Sequence, residues 1–255
     1  MNEWLISIFG LEPIWLFIFF LTGFLGFVAS STLGVGGAIV LTPVLMLRLD
    51  AALSVALAAH VMLVNNLLKY WVFRPHVERT VVLWVSVAAL PSAALAAFFV
   101  DRIQEDWLKG AIGGLTLLSV FWGGKTQTER LYPRWAATPW GIIIGAVSGL
   151  CGAAGPPTAI ALRGFGLQKE RFIASVAVLA IGLQVCKLPA YFATGVMTPQ
   201  WLPLALWLSL AALGAVWLAT RWVPRMDAQV FRKALNGILA AMGLYLLGPL
   251  VAELF

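Results

Sequence analysis

The chain has 255 residues, of which 61% are hydrophobic and 11% charged, and a formal net charge of +6. A soluble domain carries about 25% charged residues, so the composition excludes an ordinary soluble globular protein and describes a polytopic membrane protein. Membrane proteins concentrate Lys and Arg in cytoplasmic loops, so the positive balance is not read as a nucleic-acid signal and no nucleic-acid partner is expected.

A bilayer core takes about 20 apolar residues per helix. Runs between charged or Pro/Gly punctuation predict ten segments in an all-α fold. Segment 13–31 begins at the end of "MNEWLISIFGLEPIW", which carries Glu3 and Glu12 in place of the basic n-region of a cleavable signal peptide. Segment 35–47 opens inside "SSTLGVGGAIVLTP", where Gly34, Gly36 and Gly37 interrupt an apolar run that closes on Pro43. Segments 51–73, 80–100 and 107–122 follow, then a basic stretch, 125–137. Segments 138–151 and 155–166 flank a second break, "SGLCGAAGPPTAI", and 172–193, 200–220 and 231–250 complete the chain. Segments 35–47, 138–151 and 155–166 are too short to cross a membrane alone. They sit around the glycine-rich breaks, so each break reads as the tip of a hairpin or of a discontinuous helix. The twelve tryptophans include near-pairs (Trp4/Trp15, Trp135/Trp140, Trp217/Trp222) suited to interfacial belts. Cys151 and Cys186 lie in apolar segments and read as small buried residues rather than a disulfide.

Loop charge sets the orientation. With the N-terminus outside, the cytoplasmic connections hold Arg74, Arg79, Lys125, Arg130, Arg134, Arg163, Lys169, Arg171, Arg221, Arg225, Arg232 and Lys233, against Arg48, Arg102 and Lys109 outside. This positive-inside bias predicts that both termini are periplasmic or extracellular, and a hairpin that turns back within the membrane leaves the prediction unchanged. The last two of the 17 basic residues, Lys69 and Lys187, fall inside segments.

Those two lysines are 118 residues apart, and so are Gly23 and Gly141, Ser30 and Ser148, Gly34 and Gly152, and Gly37 and Gly155. Asn66 and Gln184 also align, each three residues before its lysine. The expected organisation is a first five-segment repeat over 1–124, a cytoplasmic linker over 125–137 and a second five-segment repeat over 138–255. Five is odd, so the second repeat enters from the opposite side. Inverted repeats broken at matching places are the architecture of secondary transporters that hold substrate near the midplane.

Pro156 and Pro157 follow Gly155, and proline suits the first turn of a helix, so a short helix is expected to start there and another near Gly37. A helix start presents backbone N–H groups and partial positive charge, and glycine lets an anion approach the backbone. Two such starts would cage an oxyanion, with Ser30, Ser31, Thr32, Ser148 and Thr158 as hydroxyl donors. Against this, Gly-x-x-Gly spacing in membranes often serves close helix packing alone. The candidate binding residues are Ser31, Gly34, Gly36, Gly37, Asn66, Lys69, Gly152, Gly155, Thr158, Gln184 and Lys187. Either lysine could instead snorkel to the nearer membrane surface. His60, mid-segment in "ALAAHVMLVNN" and without a counterpart in the second half, is a structural histidine or a proton-coupling group. Asp50 and Asp101 lie at segment ends, so coordination of a metal or sodium ion by buried carboxylates is not expected, and no cofactor is implied.

"GFLGFVASSTLGVGGAIVLTPVLML" followed by "LSVALAAHVMLVNNLLKY" resembles the first half of the TauE/SafE sulfite exporter family of bacterial anion transporters. "GIIIGAVSGLCGAAGPPTAIALRGFGLQKERFIAS" followed by "QVCKLPAYFATG" is similar to its second half. The resemblance covers nearly the whole chain. It implies a protein of the bacterial inner membrane that transports sulfite, sulfonates such as sulfoacetate, or related small oxyanions and carboxylates. The chain departs from the family pattern in reading Gly-Ala-Ala-Gly at the second motif and in placing His60 where a small hydroxyl residue is usual. The leading expectation is therefore a secondary transporter with a small anion and the lipid bilayer as partners. A second copy of the chain is a further partner considered. A passive anion channel is the alternative, and an intramembrane serine enzyme built on Ser148 and His60 is a minor one.

Overall fold

A computed structural model describes residues 8–33, 37–122, 132–152, 154–167, 169–222, 236–237 and 239–248. The described chain is all-helical: α1 (Pro13–Leu33), α2 (Gly37–Leu45), α3 (Ala51–Phe73), α4 (Arg79–Phe98), α5 (Glu105–Trp122), α6 (Ala137–Cys151), α7 (Gly155–Gly164), α8 (Lys169–Ala193), α9 (Leu202–Trp222) and α10 (Leu239–Gly248). Each of the ten predicted segments corresponds to one of these helices. The spans Pro13–Ser31, Ala51–His76, Arg79–Phe98, Glu170–Ala193 and Pro199–Ala219 are long and apolar enough to cross a membrane. By contrast α2 and α7, with 9 and 10 residues, extend only roughly 14 and 15 Å at 1.5 Å per residue, about half of a 30 Å hydrocarbon core.

Glycine, proline and charge set the boundaries. Glu105 and Asp106 occupy the first turn of α5, where carboxylates meet the positive helix end, and Glu105 pairs with Lys109 at 2.9 Å. Gly152 ends α6 in the left-handed region, φ 76°, a conformation that costs glycine nothing and other residues a steric penalty.

Helix boundaries repeat at the 118-residue spacing. α1 ends at Leu33 and α6 at Cys151; α2 starts at Gly37 and α7 at Gly155; α3 starts at Ala51 and α8 at Lys169. The packing partners exchange in the same way. α4 of the first half packs along α6 of the second, while α9 of the second packs along α1 of the first, and α3 and α8 lie against each other between them. The α4/α6 contact is parallel and close: a Cβ at Gly141 would meet the Val85 carbonyl at 2.6 Å and one at Gly149 the Ala93 carbonyl at 2.7 Å, with Gly145 against Ala89 and Ser92 between them. Here the glycines serve packing, each letting α6 settle on α4. A further glycine pair, Gly113 and Gly243, brings α5 against α10.

The apolar side chains on the outside are those a bilayer would cover. Leu83, Val87 and Leu95 of α4 are 65%, 78% and 63% exposed, far more apolar surface than a water-soluble helix leaves open. α3 contributes the core, with Val55–Ala59 and Val61 fully buried.

Candidate functional site

Two hairpins build the site. In the second, α6 runs inward, turns at Gly152, and α7 returns. Its base is tied where Tyr132 N–H donates to the Gly164 carbonyl and the Tyr132 ring stacks on Trp140 and meets Phe165 edge-on. The hairpin thus leaves at the end where it entered, as the short lengths of its helices predict. In the first hairpin α1 and α2 pack together, and at its base the Arg48 guanidinium lies 4.5 Å over the Trp15 ring.

A lysine holds each tip. Lys187 Nζ donates to the Ser148 carbonyl at 2.8 Å, the Ser148 hydroxyl at 2.9 Å and the Gly152 carbonyl at 2.9 Å. Four residues on, the Tyr191 hydroxyl donates to the Gly149 carbonyl at 2.6 Å. The last turn of a helix leaves its carbonyls without internal partners and carries partial negative charge, so α8 supplies the cap that α6 lacks. In the first half Lys69 Nζ donates to the Ser30 carbonyl at 3.0 Å and the Ser30 hydroxyl at 2.6 Å. Both lysines are within 1% of complete burial, which overturns the snorkelling alternative. The reason lies in helix geometry: Cβ atoms tilt toward a helix's N-terminus. Lys69 and Lys187 both lie in the C-terminal halves of their helices, so both reach back toward the middle and away from the nearer end.

Between the tips lies a cavity of about 40 Å³. A water needs roughly 10–15 Å³ by this measure, so the space admits a small oxyanion or a few waters. Its lining pairs residues at the repeat spacing: Ser30 with Ser148, Asn66 with Gln184, and Met62 with Ala180. Ala154, Gly155 and Thr158 add the start of α7, and Ala38 the start of α2. The lysines stand behind the serines: each ammonium reaches the cavity through the hydroxyl it holds. No carboxylate is paired with either lysine among the described residues, so the positive charge behind the cavity is not locally cancelled and favours an anionic occupant.

The family model of the sulfite exporter TauE/SafE matches residues 19–246, which include both hairpins and both lysines. The chain belongs to this family. No curated protein and no solved structure shows significant similarity to it. TauE/SafE proteins are membrane transporters and not enzymes, and the family implies an exporter of sulfite or a related anion.

Within this TauE/SafE chain the predicted site residues divide into several groups. Asn66, Gln184, Gly155 and Thr158 line the cavity; Lys69 and Lys187 back it; Gly152 forms the turn. Gly37 faces α1, where a Cβ would overlap the Phe27 ring and sit 3.3 Å from the Ser30 Cβ, so its lack of a side chain serves packing of the tip. Ser31 turns its hydroxyl to the Phe27 carbonyl of its own helix, 2.8 Å away, leaving the cavity to Ser30. Gly34 and Gly36 lie outside the described residues, as does the side chain of Thr32. His60 is half-buried and is not among the cavity residues. Two residues from Met62 on α3, it points about 200° round the helix from the cavity face.

The prolines that mark the start of α7 also change its chemistry. Pro156 and Pro157 have no N–H, and Thr158 N–H donates to the Ala154 carbonyl at 2.9 Å, so within α7 Gly155 alone of the first three residues carries a backbone donor. The tip of α7 is therefore a poorer backbone cage than a helix start in general, and hydroxyl and amide side chains take up the polar work. Tyr191 was missed by sequence reasoning, because its partner is a backbone carbonyl that no side-chain pattern advertises.

Proposed function

We propose that the protein is a secondary transporter of small sulfur-containing or organic oxyanions, sulfite or organosulfonates such as sulfoacetate, working by alternating access around the two hairpin tips. One observation carries the reading: a small cavity lined at matched positions by Ser30/Ser148 and Asn66/Gln184, with a buried lysine behind each serine. Lysine within a membrane costs about 2.5–3.5 kcal/mol on insertion scales, and a bound anion offsets that cost at both places.

In this reading the halves over 1–124 and 138–255 form an inverted repeat joined by a cytoplasmic linker. The repeated boundaries and exchanged packing partners support it. Each hairpin re-enters, and α3, α4 and α5 then cross an odd number of times, which puts the second hairpin on the opposite face from the first. The basic connections near Arg74, Arg79, Arg134, Arg163 and Arg171 then face the cytoplasm of a bacterial inner membrane, with both termini on the periplasmic side. Two halves of similar energy that swap conformations would open the cavity to either side in turn.

The test is transport of labelled sulfite and sulfoacetate by the purified protein in sealed lipid vesicles. Accumulation against the electrochemical gradient when a proton gradient is imposed supports coupled transport. Equilibration without accumulation would instead identify a passive pathway. If accumulation occurs, His60→Ala asks whether the proton travels through His60: loss of accumulation with unchanged substrate affinity is the expected result, since His60 faces away from the cavity.

A further inference from the structure

The cavity holds acceptors as well as donors. Each serine hydroxyl accepts a hydrogen bond from its lysine, Ser30 Oγ at 2.6 Å and Ser148 Oγ at 2.9 Å, and so each keeps its own proton to donate. A hydroxyl oriented in this way suits an anionic oxygen. The two amides present the opposite chemistry. Asn66 Nδ2 donates to the Met62 carbonyl at 2.8 Å, and of the two ends of an amide only the NH₂ can donate, so this bond fixes the orientation of the amide and leaves Oδ1 as its other end. Gln184, 2% exposed, has Oε1 fully buried and without any hydrogen-bond partner among the described residues. An orphaned buried acceptor in a cavity wall implies a donor that is absent from the protein itself.

We infer that the cavity selects a singly charged oxyanion that carries an N–H or O–H donor of its own. This rests on the transport reading above and narrows it: sulfite is taken in its singly protonated form, and sulfoacetate, a dianion without a donor, is disfavoured. A fully deprotonated oxyanion offers only lone pairs, which suit Ser30 and Ser148 but oppose Gln184 Oε1. A monoanion with a proton donor, such as a hydrogen-bearing sulfur oxyanion, sulfamate or a hydroxy-substituted small sulfonate, satisfies both walls at once. Such a ligand places its anionic oxygens toward the serines with the lysines behind them, and its donor toward Gln184. A site built to hydrogen-bond a donor discriminates strongly against an analogue that lacks it, because the buried acceptor is then left unmet.

Sulfamate and methanesulfonate provide the test. They share a charge, a sulfonate head and nearly a shape, and differ in an NH₂ donor against a CH₃ group. Binding to the purified full-length protein is measured by calorimetry. The expected result is that sulfamate binds roughly tenfold or more tightly than methanesulfonate, and that Gln184→Met brings the ratio close to one chiefly by weakening sulfamate. Equal binding of the two anions to the unaltered protein overturns the inference and leaves the transport reading standing. Binding of neither, together with no transport of sulfite or sulfoacetate in vesicles, overturns both. The comparison of ligands on the unaltered protein needs no variant, so a Gln184→Met protein that failed to fold would not remove the test.

Discussion

The two hairpins do the same job with different securities. Among the described residues, Lys187 meets three acceptors at the second tip and Tyr191 a fourth, while at the first tip Lys69 meets two, both on Ser30. The residue at the repeat position of Tyr191 is Phe73, which has no hydroxyl to offer. α6 lies on α4 through glycines at positions 141, 145 and 149, whereas α1 has one glycine at the matching stations, Gly23, with Phe27 and Ser31 at the others. A common plan has thus been built twice, once with a tightly seated, heavily capped hairpin and once with a more lightly held one. The difference teaches that the lysine–serine clamp is the shared element, since among the described residues it recurs with the same atoms, while the tyrosine bond and the glycine seating belong to one half.

The largest contrast concerns the glycines. A Cβ at Gly145 would collide with the Ser92 hydroxyl and the Ala89 carbonyl, and backbone cannot move aside cheaply. Gly145→Ala is expected to lower stability by about 3 kcal/mol, the upper range for overpacking. At Gly23 a Cβ meets Leu41 Cδ1 at 3.6 Å and Ala211 Cβ at 3.9 Å, ordinary contact distances, so Gly23→Ala should stay within about 0.5 kcal/mol of the parent. Unfolding in detergent compares the two, and equal losses would refute the idea that α6 is the more tightly seated helix.

Next in size is the lysine pair. Replacing either by methionine removes the charge and leaves buried oxygens without a donor. Lys187→Met strands two oxygens of Ser148 and the Gly152 carbonyl and should cost about 1–3 kcal/mol of stability, as for an unmet buried group. Both should reduce anion transport by at least roughly tenfold, because each serine loses the bond that orients its proton. Vesicle uptake and detergent unfolding on the same preparations separate the two effects. Unchanged uptake in both variants would remove the clamp from the transport site.

Much of this was legible in the sequence, for reasons that can be named. Helix positions followed from apolar run length, because a bilayer imposes a length that water does not. Ser30/Ser148, Asn66/Gln184 and Lys69/Lys187 were found because rare polar residues recur at one spacing in a chain where glycine and alanine matches mean little. The sequence did not disclose that Lys69 and Lys187 hydrogen-bond to Ser30 and Ser148, because hydrogen bonds to a helix end depend on how far α1 and α6 penetrate beside α3 and α8. Nor did it separate Gly37, which admits the Phe27 ring, from Gly155, which lines the cavity. The two occupy equivalent places in the sequence and differ only in what faces them.

A smaller effect tests the capping difference. Tyr191→Phe deletes the bond to Gly149 and gives the second hairpin the phenyl ring that the first already has at Phe73. With the ring still buried, the loss is that of one neutral hydrogen bond, about 1 kcal/mol. Transport should persist, because Tyr191 touches neither the cavity nor Ser148 through a hydrogen bond. A transport-dead Tyr191→Phe protein of normal stability would show that the shape of the α6 terminus, and not only its lysine clamp, governs the site.

The smallest expected change comes from restoring a backbone donor to α7. Pro156 aligns with Ala38 of α2, so Pro156→Ala gives α7 an N–H at a position where α2 has one. If helix-tip donors held the anion, this extra N–H would tighten binding several-fold, since each charge-assisted hydrogen bond exceeds a neutral one. The arrangement of Ser30, Ser148, Asn66 and Gln184 argues otherwise: side chains make up the polar lining, and α7, which has given up two backbone donors, contributes the Thr158 side chain to it. Anion affinity in Pro156→Ala should therefore remain within about twofold of the parent, a difference of roughly 0.4 kcal/mol. A clear gain in affinity, measured with the same anion on both proteins, would return the helix start of α7 to the centre of anion recognition and reduce the serine clamp to a structural part.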